Sequence, residues 1–302
     1  MKICAICGYY SAVAILSAHR QHPRQFEDFK FVYPVLSRRS RGISIGLNTN
    51  PDKVCNFDCV YCQVDRSATA TVGRFDLAVA EKELRAMLEI VQSGALAQYP
   101  LFNAVPPGML CLNDIALSGD AEPTTLRNFS EIIEMVARVK PHGAKLVLIT
   151  DAGGLDRADV KRGLRIMDAN NGEVWAKLDA GTEEYFQLIN RTKIPFARIL
   201  KNITATAKER PIVVQSLFLN LRGRGPSADE IGAYCRRLRD IVGAGGRIQR
   251  VQICTVARKP MAILKVDPAW KSVTALADAE VDAITRRVGE ETGLEVESFH
   301  GA

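Results

Sequence analysis

The sequence predicts an α/β protein built on a parallel sheet. Short apolar runs alternate with longer amphipathic stretches, which is how βα units read in sequence. After Lys145 the run Leu146-Val147-Leu148-Ile149 is continuously apolar, as expected of a strand buried on both faces. No internal repeat or low-complexity linker breaks the alternation.

The first strand falls at 42–48 and leads into a cysteine-rich loop. A helix follows at 76–93, with Leu77, Ala80, Leu84, Met87, Leu88 and Val91 on one face. Strands are predicted at 114–118 and 144–150, each followed by a helix, at 126–140 and 157–169. A fourth strand at 173–178 precedes two helical stretches, 182–189 and 196–208. The fifth strand spans 211–219 before a helix at 227–242, and the sixth spans 247–256 before a last helix at 277–291. Six strands alternating with helices imply a parallel sheet, open or curled. In either form, sites collect at the C-terminal ends of the strands.

A chain of 302 residues with 47% hydrophobic content fits one α/β barrel or two small domains. Residues 1–41 read as an N-terminal extension and 42–302 as the core domain with its C-terminal helix and tail. The first eighteen residues are apolar with one early lysine. They lack an uninterrupted apolar core and a small-residue cleavage site, and they are too short for a membrane span. Eight cysteines without a secretory context point to reduced thiols and a cytoplasmic protein. The net charge of +6 is mild. Arg38, Arg39 and Arg41 cluster before the first strand, and Arg236, Arg237 and Arg239 lie on a helix. Such groups either touch phosphate, including tRNA, or line solvated faces.

The most informative run is Cys55-Asn56-Phe57-Asp58-Cys59-Val60-Tyr61-Cys62. Three thiolates this close can ligate three irons of a cubane. Protein-bound cubanes usually take four cysteines, as tetrahedral zinc takes four ligands. A triplet without a fourth member implies an open coordination position, where metal sites do chemistry.

At these residues the chain resembles the radical S-adenosylmethionine (SAM) superfamily, whose C-x3-C-x2-C spacing and aromatic residue before the last cysteine it matches. The resemblance implies a partial (β/α)6 TIM-like barrel and a [4Fe–4S] cluster on Cys55, Cys59 and Cys62. It implies that SAM chelates the remaining iron and is cleaved reductively to a 5′-deoxyadenosyl radical, which takes hydrogen from a substrate. The electron comes from a partner such as flavodoxin or ferredoxin.

The strand ends are expected to hold SAM. Ser118-Gly119-Asp120-Ala121-Glu122-Pro123-Thr124 resembles the superfamily's Gly-Gly-Glu-like segment, which receives the SAM ammonium; Ala121 stands where relatives carry glycine. Gly119, Asp120 and Glu122 are the candidates there. Thr150, heading Thr150-Asp151-Ala152-Gly153-Gly154, is placed for the same pocket. Lys177 and Asp179 share one side of a strand and are assigned to the SAM carboxylate and ribose; a structural ion pair is the competing reading. Gln215, Ser216, Gln252, Cys254, Thr255 and Arg258 are candidates for the adenine or substrate side, although a strand cysteine is more often a small core hydrophobe.

The segment 50–57 and the Ser-Gly-x-x-Glu-Pro-Thr string are most similar to the branch containing the wyosine-type tRNA-base synthases. Members that modify tRNA carry further N-terminal cysteines for a second cluster, whereas this chain offers only Cys4 and Cys7. The substrate therefore stays open between RNA, peptide and small molecule, and a glycyl-radical activase remains compatible. A non-catalytic Fe–S or zinc-binding module, with nucleic acid as a candidate partner, is the alternative. No histidine sits at an expected strand end, so none is assigned acid–base chemistry.

Overall fold

The computed structural model describes residues 16–70, 72–261 and 273–301. Cys4 and Cys7 lie outside the described residues. After a short helix α1 (Ser17–Arg20) come β1 (Val32–Ser37), β2 (Gly42–Leu47), α2 (Leu77–Gln92), β3 (Leu112–Leu117), α3 (Phe129–Val139) and β4 (Lys145–Thr150). Then follow α4 (Ala158–Asp168), β5 (Gly172–Lys177), α5 (Glu183–Asn190), α6 (Phe196–Glu209), β6 (Ile212–Leu217) and β7 (Asn220–Leu221). The chain finishes with α7 (Ala228–Gly243), β8 (Ile248–Cys254), β9 (Val273–Thr274), α8 (Asp278–Thr292) and β10 (Val296–Phe299).

The main sheet has eight strands in the order β1-β2-β3-β4-β5-β6-β8-β10. The six predicted strands are its centre, parallel and in sequence order. Two edge strands were not anticipated. β10 adds in parallel to β8, and β1 pairs antiparallel with β2. β1 carries Pro34, which a sheet tolerates at its edge because proline has no N–H for the ladder.

The strands use their period of two to separate two faces. Ile115, Leu117, Leu146, Leu148, Val174, Ala176, Ile212 and Val214 pack into the large core with helix residues such as Leu84, Ile132, Val160, Ile203 and Leu238. Fully burying side chains of this kind contributes roughly 1.5–3 kcal/mol each. The intervening residues Ala116, Val147, Trp175 and Val213 form a separate small cluster on the other face. The sheet curls round that inner face into a half-barrel whose lumen is partly polar.

The helices start where the sequence supplies caps. Asp76 accepts from the Ala78 and Val79 amides at 3.0 and 3.1 Å, Thr182 from Tyr185 at 3.2 Å, and Ser227 from Glu230 at 3.1 Å. Glu83 interrupts the apolar face of α2 and is buried. Its carboxylate accepts from the amides of Lys30, Phe31 and Val32 at 2.8, 2.9 and 3.2 Å, fastening the start of β1 to α2. Across the β1–β2 pair, Tyr33 lies opposite Gly46, where an added Cβ would meet the ring at 2.3 Å. Among the described residues no helix is long and apolar enough to cross a membrane.

Candidate active site

The loops after β2 and β3 clasp each other. Asn48 Oδ1 accepts from the Asp120 and Asn50 amides at 3.1 and 3.3 Å, and Asn48 Nδ2 donates to Asp120 Oδ2 at 2.8 Å. Asn50 Nδ2 donates to Thr125 Oγ1 at 3.1 Å. Gly119 makes this approach possible, since a Cβ there would sit 2.3 Å from Asn48 Oδ1 and 2.8 Å from Asn48 Cα.

The cysteine loop leaves this clasp and leans on the C-terminal end of α5. The Asp58 and Val60 amides donate to the Asn190 and Ile189 carbonyls at 3.2 and 2.9 Å. Thr192 Oγ1 donates to the Asn56 carbonyl at 2.8 Å, and Arg191 Nε to that of Asp58 at 2.6 Å. Cys55, Cys59 and Cys62 are free, half-buried thiols. Arg66 Nη1 donates to Cys62 Sγ at 2.9 Å and Asn190 Nδ2 to Cys59 Sγ at 3.5 Å. N–H donors of this kind stabilise metal-bound sulfur and tune its potential. Burial pushes the Cys55 thiol up to about 11 and the Cys59 thiol to about 12, so both are protonated at neutral pH, and a metal must displace those protons. Among the described residues, no three His, Cys, Asp or Glu side chains are gathered into a ready metal cage. The donor set is soft and supplied with N–H partners, which fits an iron–sulfur cluster, but the thiols have not converged.

Tyr61, just before the last cysteine, joins the loop to the sheet. Its hydroxyl donates to Asp179 Oδ2. Asp179 is buried and also accepts from Asn190 Nδ2 and the Leu217 amide, each at 2.9 Å. Lys177 Nζ lies 3.6 Å from Asp179 Oδ2 and 4.6 Å from the Tyr61 ring centroid. The Lys177–Asp179 pair is thus an ion pair in place, set against the aromatic residue of the cysteine motif.

At the ends of β3 and β4, Glu122 is buried and accepts from Thr124 N at 3.1 Å, from the Thr124 and Thr150 hydroxyls at 2.6 Å each, and from the Asp151 amide at 2.7 Å. Asp151 faces the cysteine loop near Asn56. Its Oδ1 accepts from Gly153 N at 2.8 Å, while its Oδ2 is buried and has no partner among the described residues. Burial, and the Glu122 charge beside it, hold the Asp151 carboxyl well above the usual carboxylate range. Burial raises Glu122 as well. The next residue, Ala152, has φ of 67°, a left-handed conformation costly for a residue with a Cβ. Asn202 of α6 holds its carbonyl at 2.9 Å. An orphaned buried carboxylate oxygen at a strand end suits an ammonium ligand.

Two candidates for the substrate side do not face the lumen. Ser216 Oγ donates to the Leu178 carbonyl and pairs with the Tyr234 hydroxyl of α7, both at 2.6 Å, because it sits on the helix-facing phase of β6. Thr255 Oγ1 accepts from the Leu276 amide at 2.8 Å. Gln215, one residue earlier, bonds Gln252 at 3.2 Å on the inner phase. No motif or spacing marks Arg66, Asn190 or the unpartnered Asp151 oxygen as parts of this site.

A curled α/β half-barrel carrying a three-cysteine loop beyond its first parallel strand is the class of fold and site described above. The comparisons agree with the fold. No family model matches the chain. A UPF0026 protein of Methanocaldococcus jannaschii is 30% identical over 158 residues, covering 52% of this chain and 43% of that protein. A UPF0026 protein of Helicobacter pylori is 23% identical over 235 residues, covering 74% and 65%. The matches thus span less than two thirds of those relatives' own length. Among solved structures, TYW1 with a lysine–pyruvate adduct bound has a TM-score of 0.52 at 14% identity, covering 83% of this chain and 74% of that one. Streptococcus suis SuiB bound to S-adenosylmethionine has a TM-score of 0.51 at 11% identity, covering 86% and 48%. The half-barrel therefore shares its fold with TYW1 and SuiB, and in sequence the chain is similar to UPF0026 proteins.

Proposed function

We propose that this chain is a radical SAM enzyme. Cys55, Cys59 and Cys62 would hold a [4Fe–4S] cluster, and SAM would take the iron that they leave open. When bound, this pair supplies one-electron cleavage to a carbon radical that abstracts hydrogen. The observation that carries the reading is the cysteine loop itself: three free thiols beyond β2, two of them already receiving N–H donors from Arg66 and Asn190.

The chain's own residues have separate tasks in this reading. Arg66 and Asn190 stabilise sulfur negative charge. Asp151 offers its unpartnered oxygen to the SAM ammonium, with Glu122 and Thr150 fixing the backbone that aims it. Gly119 and Asp120, held by the Asn48 clasp, would add to the SAM site from the end of β3. Lys177 and Asp179, an ion pair in this structure, would serve the SAM carboxylate and ribose, and the curled sheet would keep water from the reacting carbon. A flavodoxin- or ferredoxin-like protein in a reducing compartment would deliver the electron.

Anaerobic reconstitution tests this. The expected result is about four irons per chain and reductant-dependent 5′-deoxyadenosine from SAM. Bound zinc, or a cluster whose spectrum ignores added SAM, would overturn the reading in favour of a binding module.

A further inference from the structure

The inner face of the half-barrel holds a cavity of about 140 Å³ that meets the SAM candidates at Gly119 and continues beyond them to a cluster of arginines. Its lining includes Arg24, Arg39, Arg258 and His22. The three arginines come from three segments outside the βα repeat: the stretch before β1, the β1–β2 turn and the chain after β8. Arg24 pairs with Asp120 at 3.5 Å. Arg39 stacks its guanidinium over Trp175, 5.4 Å from the ring centroid. Arg258 donates to Gln63 Oε1 at 2.7 Å and to the His19 carbonyl at 3.4 Å. Among the described residues, neither Arg39 nor Arg258 forms an ion pair with a carboxylate. The acid on the cavity wall is Asp114, which is buried and bonded to the Ser44 hydroxyl.

Positive charge is therefore concentrated in a confined space. Burial and the neighbouring arginines push Arg258 down to about 10. Burial, followed by Arg258, Arg39 and Arg24, pushes His22 down to about 2, so its ring is neutral, and its Nε2 has no partner among the described residues. Converging guanidiniums repel each other and cost stability unless an anion offsets them. Their planar donor forks match carboxylate and phosphate oxygens.

We propose that this lumen binds the oxyanion group, carboxylate or phosphate, of a small molecule. Calling that molecule the substrate rests on the radical SAM reading; the binding itself does not. The cavity has room for a compact anionic head rather than a nucleic-acid strand.

The test is thermal unfolding of the full chain, kept anaerobic, in inorganic phosphate, in malonate and in sodium chloride at matched ionic strength. Phosphate, malonate or both should raise the midpoint by a few degrees over chloride, and which one does so separates the two sources of oxyanion. Arg39→Gln and Arg258→Gln should each lose that rise. Arg41→Gln, an exposed residue paired with Glu297 at 3.2 Å, should keep it. Equal midpoints in all three salts, or an undiminished rise in the Arg39 and Arg258 variants, would overturn the proposal. If a variant does not fold, the wild-type salt comparison and the displacement of the His22 ring resonance by phosphate decide alone. Neither readout needs cluster or SAM, so failure here leaves the radical chemistry standing, and failure of that chemistry leaves this site standing.

Discussion

Tyr61→Phe removes one hydroxyl and keeps the ring beneath Lys177. The lost contact is a hydrogen bond to the buried Asp179 carboxylate, of the charge-assisted kind that contributes about 1.5–3 kcal/mol. Asp179 keeps Asn190 Nδ2, the Leu217 amide and Lys177, so no carboxylate oxygen is orphaned. The expected cost is therefore confined to that range. Asp179→Asn is the sharper perturbation. Its amide nitrogen can occupy the position that now accepts from Tyr61 and Asn190 and lies beside Lys177, placing donor against donors and leaving Lys177 unpaired. Removing one partner of a buried pair costs about 3–5 kcal/mol. Urea unfolding of the metal-free chain measures both variants, with an unchanged m-value confirming that native stability alone has moved. If Asp179→Asn were no more destabilising than Tyr61→Phe, Asp179 would not be the hub that ties loop, β5, β6 and α5 together, and this account of the motif tyrosine would fail.

Other outcomes follow from the same geometry. Cys59→Ala should lose reconstituted iron, whereas Cys235→Ala, buried on α7 away from the loop, should retain it; iron content per chain decides. Gly119→Ala should lower the thermal midpoint and loosen the clasp to Asn48, since its Cβ would arrive 2.3 Å from Asn48 Oδ1; overpacking of this kind costs about 1–3 kcal/mol. The metal-free chain should lose stability as pH rises above the ordinary carboxylate range near pH 4. Glu122 and Asp151 have raised folded values, so the folded chain holds protons that the unfolded chain has released, and their contribution fades as pH climbs through those values. Each group adds a slope of at most about 1.4 kcal/mol per pH unit. Asp151→Asn should flatten the profile, read from urea midpoints across pH, and an unchanged profile would refute the coupling.

The central strands were legible because each is a short apolar run between turn signals. The thiols were legible because three of them share one loop at diagnostic spacing. Their partners were not: Asn190 lies 131 residues from Cys59 and meets it only because α5 returns to the same strand end. β1 was hidden in the presumed extension because Pro34 and the arginines after it argue locally against a strand, and only pairing with β2 overrides that. Ser216 and Gln215 were read together, but a one-residue step on a strand changes the face, sending Ser216 to Tyr234 and Gln215 to Gln252.

The division of labour between repeat and additions explains why the substrate resisted reading. Cysteine loop, Glu122, Asp151, Lys177 and Asp179 all hang from the C-terminal ends of repeated βα units, where local pattern predicts placement. The lumen charge arrives instead from Arg24, Arg39 and Arg258, on segments that only the curled half-barrel brings together. Of the sequence-adjacent Arg38, Arg39 and Arg41, the first binds the His300 carbonyl at 2.7 Å, the third pairs with Glu297, and Arg39 alone lines the cavity. A charge run that reads as one patch thus has three destinations, and the one that reaches the lumen is set by β1, whose pairing with β2 carries the turn bearing Arg39 to its edge.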